Sequence, residues 1–391
     1  MPHMFDQEHH MFRQLVRQFV AQEIEPYVDA WEAQQLWPAH TLLRTMGKLG
    51  LLGLSYPEEY GGAGLDYWYN VVLFEELGRC SCGGVPMAIG VHTDMATPAL
   101  AQYGSEELKQ RFLVPAIAGT MCAAIAISEP DAGSDVAAIR TRAEPDGDDY
   151  VINGSKMWIT NGTQADFVVV LARTSPGHDH RGMSLIVVPT DTPGFSVSRK
   201  LEKLGMHSSD TAILSFDNVR VPQAFRIGDE GAGFPLQMQQ FQKERLIASV
   251  MGLAAAERAI ELTVTYTKQR QAFGKPLIAQ QWIQFKLAEL LSEVEALRHL
   301  CYHCTELIVA GQDATLPVSM AKLKVGRLAR QVADTCLQFH GGMGYVEEYP
   351  IARYFRDSRL LSIAGGADEI MLGIIAKYAG LLPPKESTTH G

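Results

Sequence analysis

Residues 150–160 read YVINGSKMWIT. Apolar and polar side chains alternate there, and an Asn-Gly pair divides the run, which predicts a β-hairpin. The same short period continues downstream. Val168–Leu171, Ser184–Val188, Phe195–Ser198 and Ile213–Phe216 are apolar or alternating runs bounded by Gly, Pro, Asp and Ser. Residues 120–225 therefore read as a compact antiparallel β-domain.

On both sides the period changes to that of helices. Phe12, Leu15, Val16, Phe19 and Ile24 recur at three-to-four spacing, and Pro26 is placed to kink or end that helix. Leu42, Leu43, Met46 and Leu49 form a second stripe. Residues 66–79 and 105–118 predict further helices, the latter with Ser105 as N-cap, and YGGAGLD (60–66) predicts a loop. Beyond the β-region, long helical patterns cover about 234–269, 279–311, 316–340 and 367–380, the makings of an antiparallel bundle. The order α, β, α without alternating βα units argues against a doubly wound sheet. The expected fold class is α+β and multidomain. A helical domain spans 1–119, a central antiparallel β-domain 120–230 and a C-terminal four-helix bundle 231–391.

Composition narrows the function. The chain has 391 residues, 47% apolar and 20% charged, which excludes disordered and fibrous classes. With 34 Lys and Arg against 44 Asp and Glu, the net charge is −10, and no basic run marks a nucleic-acid partner. No apolar run approaches the roughly 18–20 residues of a membrane span. The start, MPHMFDQEHHMF, holds acidic residues and no apolar core, so neither a signal nor a transit peptide is expected. The six cysteines then read as reduced thiols in a cytoplasmic protein. Cys301 and Cys304 form one CxxC beside His299 and His303, but within a helical stretch and without a second cluster. They read as buried helix residues, with no metal expected. Cys80 and Cys82 read as packing or loop residues.

The common catalytic signatures are missing: GxGxxG, GxxxxGK[ST], HExxH and GxSxG do not occur. Five other segments are specific. AISEPDAGSD (126–135), KMWITNG (156–162), RQAFGK (270–275), QFHGGMGY (338–345) and RDSRLLSIAGGADEI (356–370) follow in that order. With the α–β–α layout, they make the sequence resemble the acyl-CoA dehydrogenase family along nearly its whole length. Within the family it looks closest to the long-chain and isovaleryl-CoA branches. Residues 82–100 and 365–377 are most similar to bacterial citronellyl-CoA dehydrogenases. The resemblance implies FAD as cofactor, an acyl-CoA substrate, and a homo-oligomer, tetramer or dimer. It also implies an electron-transfer flavoprotein as acceptor.

The implied reaction removes the α-proton of an acyl thioester and passes the β-hydride to the flavin. Side chains cannot accept a hydride, so a cofactor must. The weakly acidic α-proton needs a close carboxylate and donors for the developing enolate. By resemblance, Ile125, Ile127, Ser128, Gly133 and Ser134 cross the flavin edge, with Ser134 also touching CoA. Trp158 and Thr160 match a family pair in which the Trp packs against the ring. Arg270, Phe273 and Gln281, with Gln338, Gly341 and Gly342, hold the adenine and pyrophosphate from a neighbouring subunit. Arg suits a diphosphate because its planar fork gives paired hydrogen bonds. Ala367 and Glu369 also match cofactor contacts, and Asp368 reads as the N-cap of the last helix.

Most of the family carries its catalytic Glu near the C-terminus, where this chain reads Ile363-Ala364-Gly365-Gly366-Ala367. The expected carboxylate position is Gly365. In the long-chain and isovaleryl branches the base lies on the first bundle helix in a Glu-Arg-Leu context, and here Lys243-Glu244-Arg245-Leu246 stands there. Glu244 is the expected base. Lys243 and Arg245 are expected on the substrate, Arg245 orienting Glu244 or lining the CoA entrance. The Gly366 N–H is expected on the thioester carbonyl. The acyl chain is expected along Val85–Pro98, and the missing side chain at 365 leaves room for a β-methyl branch. Two other functions fit the same residues: a flavin oxidase or monooxygenase on this scaffold, and a CoA-binding protein without catalysis.

Overall fold

The N-terminal helices build an apolar wall. Helix α1 (Gln7–Phe19) starts at Asp6, whose carboxylate accepts the His9 N–H at 3.0 Å. It buries Val16 and Phe19, then unwinds through a wide turn at Val20–Ile24 and a tight one at Glu25–Tyr27, where Pro26 sits. Helix α2 (Ala39–Lys48) buries Leu42, Leu43 and Met46. Helix α3 (Tyr67–Gly78) is buried along its entire length, so no amphipathic stripe marks it. Helix α4 (Gly84–Gly90) widens at Val91–Ala96 before α5 (Pro98–Tyr103) begins at a proline. Ser105 does cap the next turn, accepting the Leu108 N–H at 3.3 Å.

The computed structural model describes residues 5–175 and 180–383. Its middle region is a sheet of β1 (Ala123–Ala126), β2 (Arg142–Asp146), β3 (Asp149–Thr160), β4 (Phe167–Arg173), β5 (Met183–Pro189), β6 (Phe195–Lys200), β7 (Thr211–Pro222) and β8 (Arg226–Ile227). The order is β6-β7-β3-β2-β4-β5-β8, with β1 also on β4. Two expectations change here. The sheet is mixed, because β1 pairs with β4 in parallel and β2 meets β4 in parallel at Arg142. The chain leaves β1, makes the long β2–β3 excursion and returns to β4 in the same direction, as a parallel pair requires. Second, Asn153-Gly154 is no hairpin turn. Residues 149–160 form one strand, and the β2–β3 turn lies at Asp146–Asp149 around Gly147. Asn153-Gly154 instead makes a bulge against β7, where Asn153 Oδ1 accepts the Asn218 N–H at 2.8 Å. A Cβ at Gly154 would stand 2.4 Å from Thr141 Oγ1, so glycine serves close packing there.

The C-terminal region contains α6 (Gly233–Gln269), α7 (Gln281–Val309), α8 (Thr315–His340), α9 (Pro350–Ser358) and α10 (Asp368–Tyr378). The last helix is shorter than its sequence pattern suggested. A two-stranded hairpin, β9 (Gln271–Ala272) and β10 (Lys275–Pro276), joins α6 to α7. One apolar core runs from Val16 through α3 and α6 to Val332 and Ile351. The N-terminal helices and the bundle therefore share a core. A second core joins the sheet to Leu100, Phe112 and Leu113. Cys301 and Cys304 are buried on α7, and Cys80 and Cys82 are buried with their sulfurs 3.8 Å apart. Among the described residues no helix is long and apolar enough to cross a membrane.

Candidate active site

Glu244 lies on α6 and is 7% exposed. Its Oε1 accepts two amide hydrogen bonds, from Gln237 Nε2 and Gln240 Nε2, each at 2.9 Å. Residues 237, 240 and 244 follow the three-to-four spacing of one helix face, so the α-helix itself stacks both amides on the carboxylate. Burial pushes the Glu244 carboxyl up to about 7, against the two amides and Arg245, which favour its ionised form. Asp94 adds to the rise as a nearby like charge. Asp94 is itself buried and bonded to Thr93 Oγ1 at 2.7 Å, Tyr67 Oη at 2.9 Å and Asn70 Nδ2 at 3.2 Å.

The loop 361–367 closes one side. Arg245 Nε donates to the Gly365 carbonyl at 3.3 Å, and buried Lys322 Nζ donates to the Leu361 and Gly366 carbonyls at 2.5 and 2.8 Å. Burial brings the Lys322 amine down to about 8. Arg245 thus hydrogen-bonds the loop and acts on the Glu244 carboxylate through its charge. Lys243 Nζ sits 5.2 Å from the Tyr67 ring centroid. Gly365 is left-handed at φ 65°, and an added Cβ would meet only Lys322 Cε at 3.8 Å. At Gly366, φ is 103°, a conformation that strains any side chain; the nearest atom to an added Cβ, Met371 Cε at 2.4 Å, is the movable end of a flexible side chain, so the backbone rather than the space favours glycine there. Asp368 does not cap α10. Ala367 holds that position, and Asp368 instead pairs with Arg330 at 3.1 Å and Arg327 at 3.5 Å. Glu369 beside it is exposed.

The β-domain supplies a second wall. The Ser128 carbonyl accepts the Met157 N–H at 2.9 Å, which sets Ser128 beside Trp158. Beneath them, buried Lys156 Nζ donates to the Ile127 carbonyl at 2.8 Å and pairs with Glu129 at 2.9 Å. Burial lowers the Lys156 amine to about 8. Burial alone would raise Glu129, but Lys156 and bonds from Thr141 and Arg140 hold it below its usual range. This buried pair clamps the segment that continues β1. Trp158 is left-handed at φ 68° and 59% exposed, while Thr160 pairs with Thr211 on β7. Ile125 lies within β1, opposite Val169, and Gly133 and Ser134 are exposed. Asn161 ties this wall to α4, donating to the Ala88 and Ala123 carbonyls at 2.9 and 3.3 Å. Gln240 in turn ties α5 to α6, since its Oε1 accepts the Ala99 N–H at 3.0 Å.

Arg270, Phe273, Gln281, Gln338, Gly341 and Gly342 are all exposed, the first three at the α6–α7 connection and the others at the end of α8. Tyr266 stacks on His340 at 4.4 Å and bonds its carbonyl at 3.1 Å, joining the last turns of α6, just before the 270–276 hairpin, to the end of α8. Arg270 immediately follows α6, 26 residues beyond Glu244 and about 39 Å away at the helical rise. The sequence reading missed Gln237, Gln240, Lys156, Glu129 and Lys322. The helical spacing 237-240-244 was the one signal that could have found the amides.

Comparison with known proteins assigns this arrangement. Sequence models of the acyl-CoA dehydrogenase N-terminal, middle and C-terminal domains match residues 6–120, 124–219 and 231–380. The chain is 39% identical to an acyl-CoA dehydrogenase of Bacillus subtilis over 95% of its length and 98% of the relative's. It is 40% identical to the long-chain specific mitochondrial acyl-CoA dehydrogenase of Sus scrofa, covering 96% of this chain and 87% of that one. The crystal structure of an acyl-CoA dehydrogenase from Geobacillus kaustophilus superposes with a TM-score of 0.94 at 43% identity, covering 97% and 100% of the two chains. The chain belongs to the acyl-CoA dehydrogenase family. It is an FAD-dependent oxidoreductase with acyl-CoA dehydrogenase activity.

The residues present fit the cofactor. Trp158 offers an aromatic face beside Ser128, which suits a flat ring. An added Cβ at Gly341 or Gly342 would meet no heavy atom within 4 Å, so a ligand can approach that backbone.

Proposed function

We propose that this enzyme oxidises medium- to long-chain and 3-methyl-branched acyl-CoA thioesters to their trans-2-enoyl products, citronellyl-CoA being the lead substrate. Electrons then pass to an electron-transfer flavoprotein. The observation that carries the reading is Glu244, a buried carboxyl raised to about 7 on the first bundle helix, while position 365 carries no side chain. Bound FAD supplies the hydride acceptor that no side chain offers.

In this reading Glu244 takes the α-proton. A base with a pKa near 7 is half ionised at neutral pH and still strong enough to compete for a weakly acidic C–H. Gly366 turns its N–H to the thioester carbonyl, and Arg245 and Lys322 hold the loop that presents it. Ile125, Ile127, Ser128, Gly133, Ser134, Trp158 and Thr160, with Ala367 and Glu369, hold the flavin half of the cofactor, and Ser134 and Lys243 border CoA. The nucleotide half falls to Arg270, Phe273, Gln281, Gln338, Gly341 and Gly342. Because that cluster lies about 39 Å from Glu244 along one helix, the two halves belong to different subunits of a homo-oligomer, a tetramer or a dimer. We assign domain limits of 1–119, 120–230 and 231–391, and a cytoplasmic setting consistent with six free thiols.

The test is anaerobic flavin bleaching across straight-chain, isovaleryl and citronellyl CoA thioesters. Citronellyl-CoA is expected to bleach at least as fast as the straight chains. A strict preference for butyryl-CoA overturns the substrate assignment.

A further inference from the structure

We propose that Gln240 is a positioning residue for the reaction, an amide clamp that aims the Glu244 carboxylate by holding one oxygen and leaving the other for the substrate. The inference rests on the reading of Glu244 as the base.

Both N–H groups and the carbonyl oxygen of the Gln240 amide have partners. Its two N–H bonds go to Glu244 Oε1, at 2.9 Å, and to the Met95 carbonyl, and its Oε1 accepts the Ala99 N–H at 3.0 Å. A flipped amide would set its carbonyl against the Met95 carbonyl and the carboxylate, and its NH2 against the Ala99 N–H. The side chain therefore has one orientation. The backbone partners exist because the chain widens at Val91–Ala96 and restarts at Pro98. That break leaves the Ala99 N–H in a first helical turn without an intrahelical acceptor. Gln240 satisfies groups that the α4–α5 break exposes, and in return that break fixes Gln240.

Both glutamines converge on Glu244 Oε1, and among the described residues no donor is assigned to Oε2. Gln237 differs from Gln240. It is fully buried, yet its Oε1 has no partner, and its one side-chain hydrogen bond among the described residues goes to Glu244 on its own helix. Gln237 stabilises the ionised carboxylate, whereas Gln240 also fixes its direction. The other charged or titratable groups around Glu244 are Arg245 on α6, Asp94 on the wide turn and Tyr67 on α3, with Lys243 over the Tyr67 ring. None of them hydrogen-bonds Gln240.

The experiment compares wild type with Gln240→Met and Gln237→Met, which keep volume and remove donors. The first readout is an infrared titration of the resting holoenzyme without substrate, with the Glu244 carboxyl isolated by difference against Glu244→Gln. Losing a donor to the ionised form should raise the midpoint by about half to one pH unit in both variants. The second is the limiting rate of flavin bleaching at high pH. It should fall about 10- to 100-fold in Gln240→Met, with acyl-CoA affinity kept within about twofold, and fall less in Gln237→Met, which removes a donor but no anchor to the α4–α5 break. An unchanged midpoint and rate in folded Gln240→Met overturn the proposal. So does a raised midpoint with an unchanged limiting rate, since the amide would then tune without aiming. If Gln240→Met does not fold, Gln240→Asn, too short to span Met95 and Glu244 together, is read by the same criteria. Failure of the underlying reading looks different: Glu244→Gln itself would bleach at the wild-type rate.

Discussion

At one end α6 carries Glu244, buried under two amides, with Arg245 locking the facing loop. At its other end the same helix delivers a hairpin whose Phe273 is 97% exposed at a left-handed φ of 53°. At the first end the Glu244 carboxylate and the loop facing it are held by partners from the same chain, while Gln237 Oε1, Asn70 Oδ1 and Ser362 Oγ stay buried without one. The second presents an aromatic ring, Arg270 and bare glycine backbone to solvent, and Tyr345 at the foot of α8 is 89% exposed. A single protomer gains nothing from exposing such rings, so their value lies in what covers them. In the proposed reading the base sits where one chain holds its own side chains, and nucleotide binding and assembly fall to the exposed end.

This contrast can be broken experimentally. The largest effect is expected for Glu244→Gln, which keeps shape and removes basicity. Its flavin reduction by acyl-CoA should fall by about a thousandfold or more in rapid mixing, while FAD content stays at wild-type level. Restoring a carboxylate with Gly365→Glu in that background should recover part of the rate, for unbranched thioesters first. There is room for the first carbon at 365, but the left-handed backbone resists a side chain and limits the gain.

Arg270→Ala should act in the opposite way. Loss of a charged donor to a diphosphate should weaken FAD retention about 10- to 100-fold, read from flavin absorbance after dialysis, and leave the titration of Glu244 untouched. Equal losses of FAD in Glu244→Gln and Arg270→Ala would erase the distinction between the two ends.

A third expectation concerns pH. The folded Glu244 holds its proton up to about 7, against 4.5 for an ordinary Glu. The folded state therefore binds more protons between those values. The stability this represents is fully present below 4.5 and is lost as pH rises through 7. Relative to wild type, Glu244→Gln should gain up to about 3 kcal/mol at pH 8 and little at pH 4, by thermal melting at both. Flavin reduction should rise over the same window as the base ionises. The smallest effect is expected for Phe273→Ala. Its ring touches little within the protomer, so protomer stability should change by less than about 0.5 kcal/mol, while association measured by sedimentation weakens.

The sequence by itself determined the α–β–α order, because hydrophobic period is a local property that survives without a partner. It also pointed to Glu244, through the carboxylate missing at 365 and the Glu-Arg-Leu context on α6. It misread Asn153-Gly154 as a turn, since whether such a pair bends back or bulges depends on the strand beside it, here β7. It took Asp368 for a cap, because the arginines that claim it lie one helix away at 327 and 330. Only the tertiary structure merged the N-terminal helices and the bundle into one core, and only it brought the Gln240 amide to the broken backbone at Met95 and Ala99. Those outcomes turn on which buried polar group meets which across elements remote in sequence. That choice is made by packing and by the cost of leaving a donor unpaired, neither of which a local pattern records.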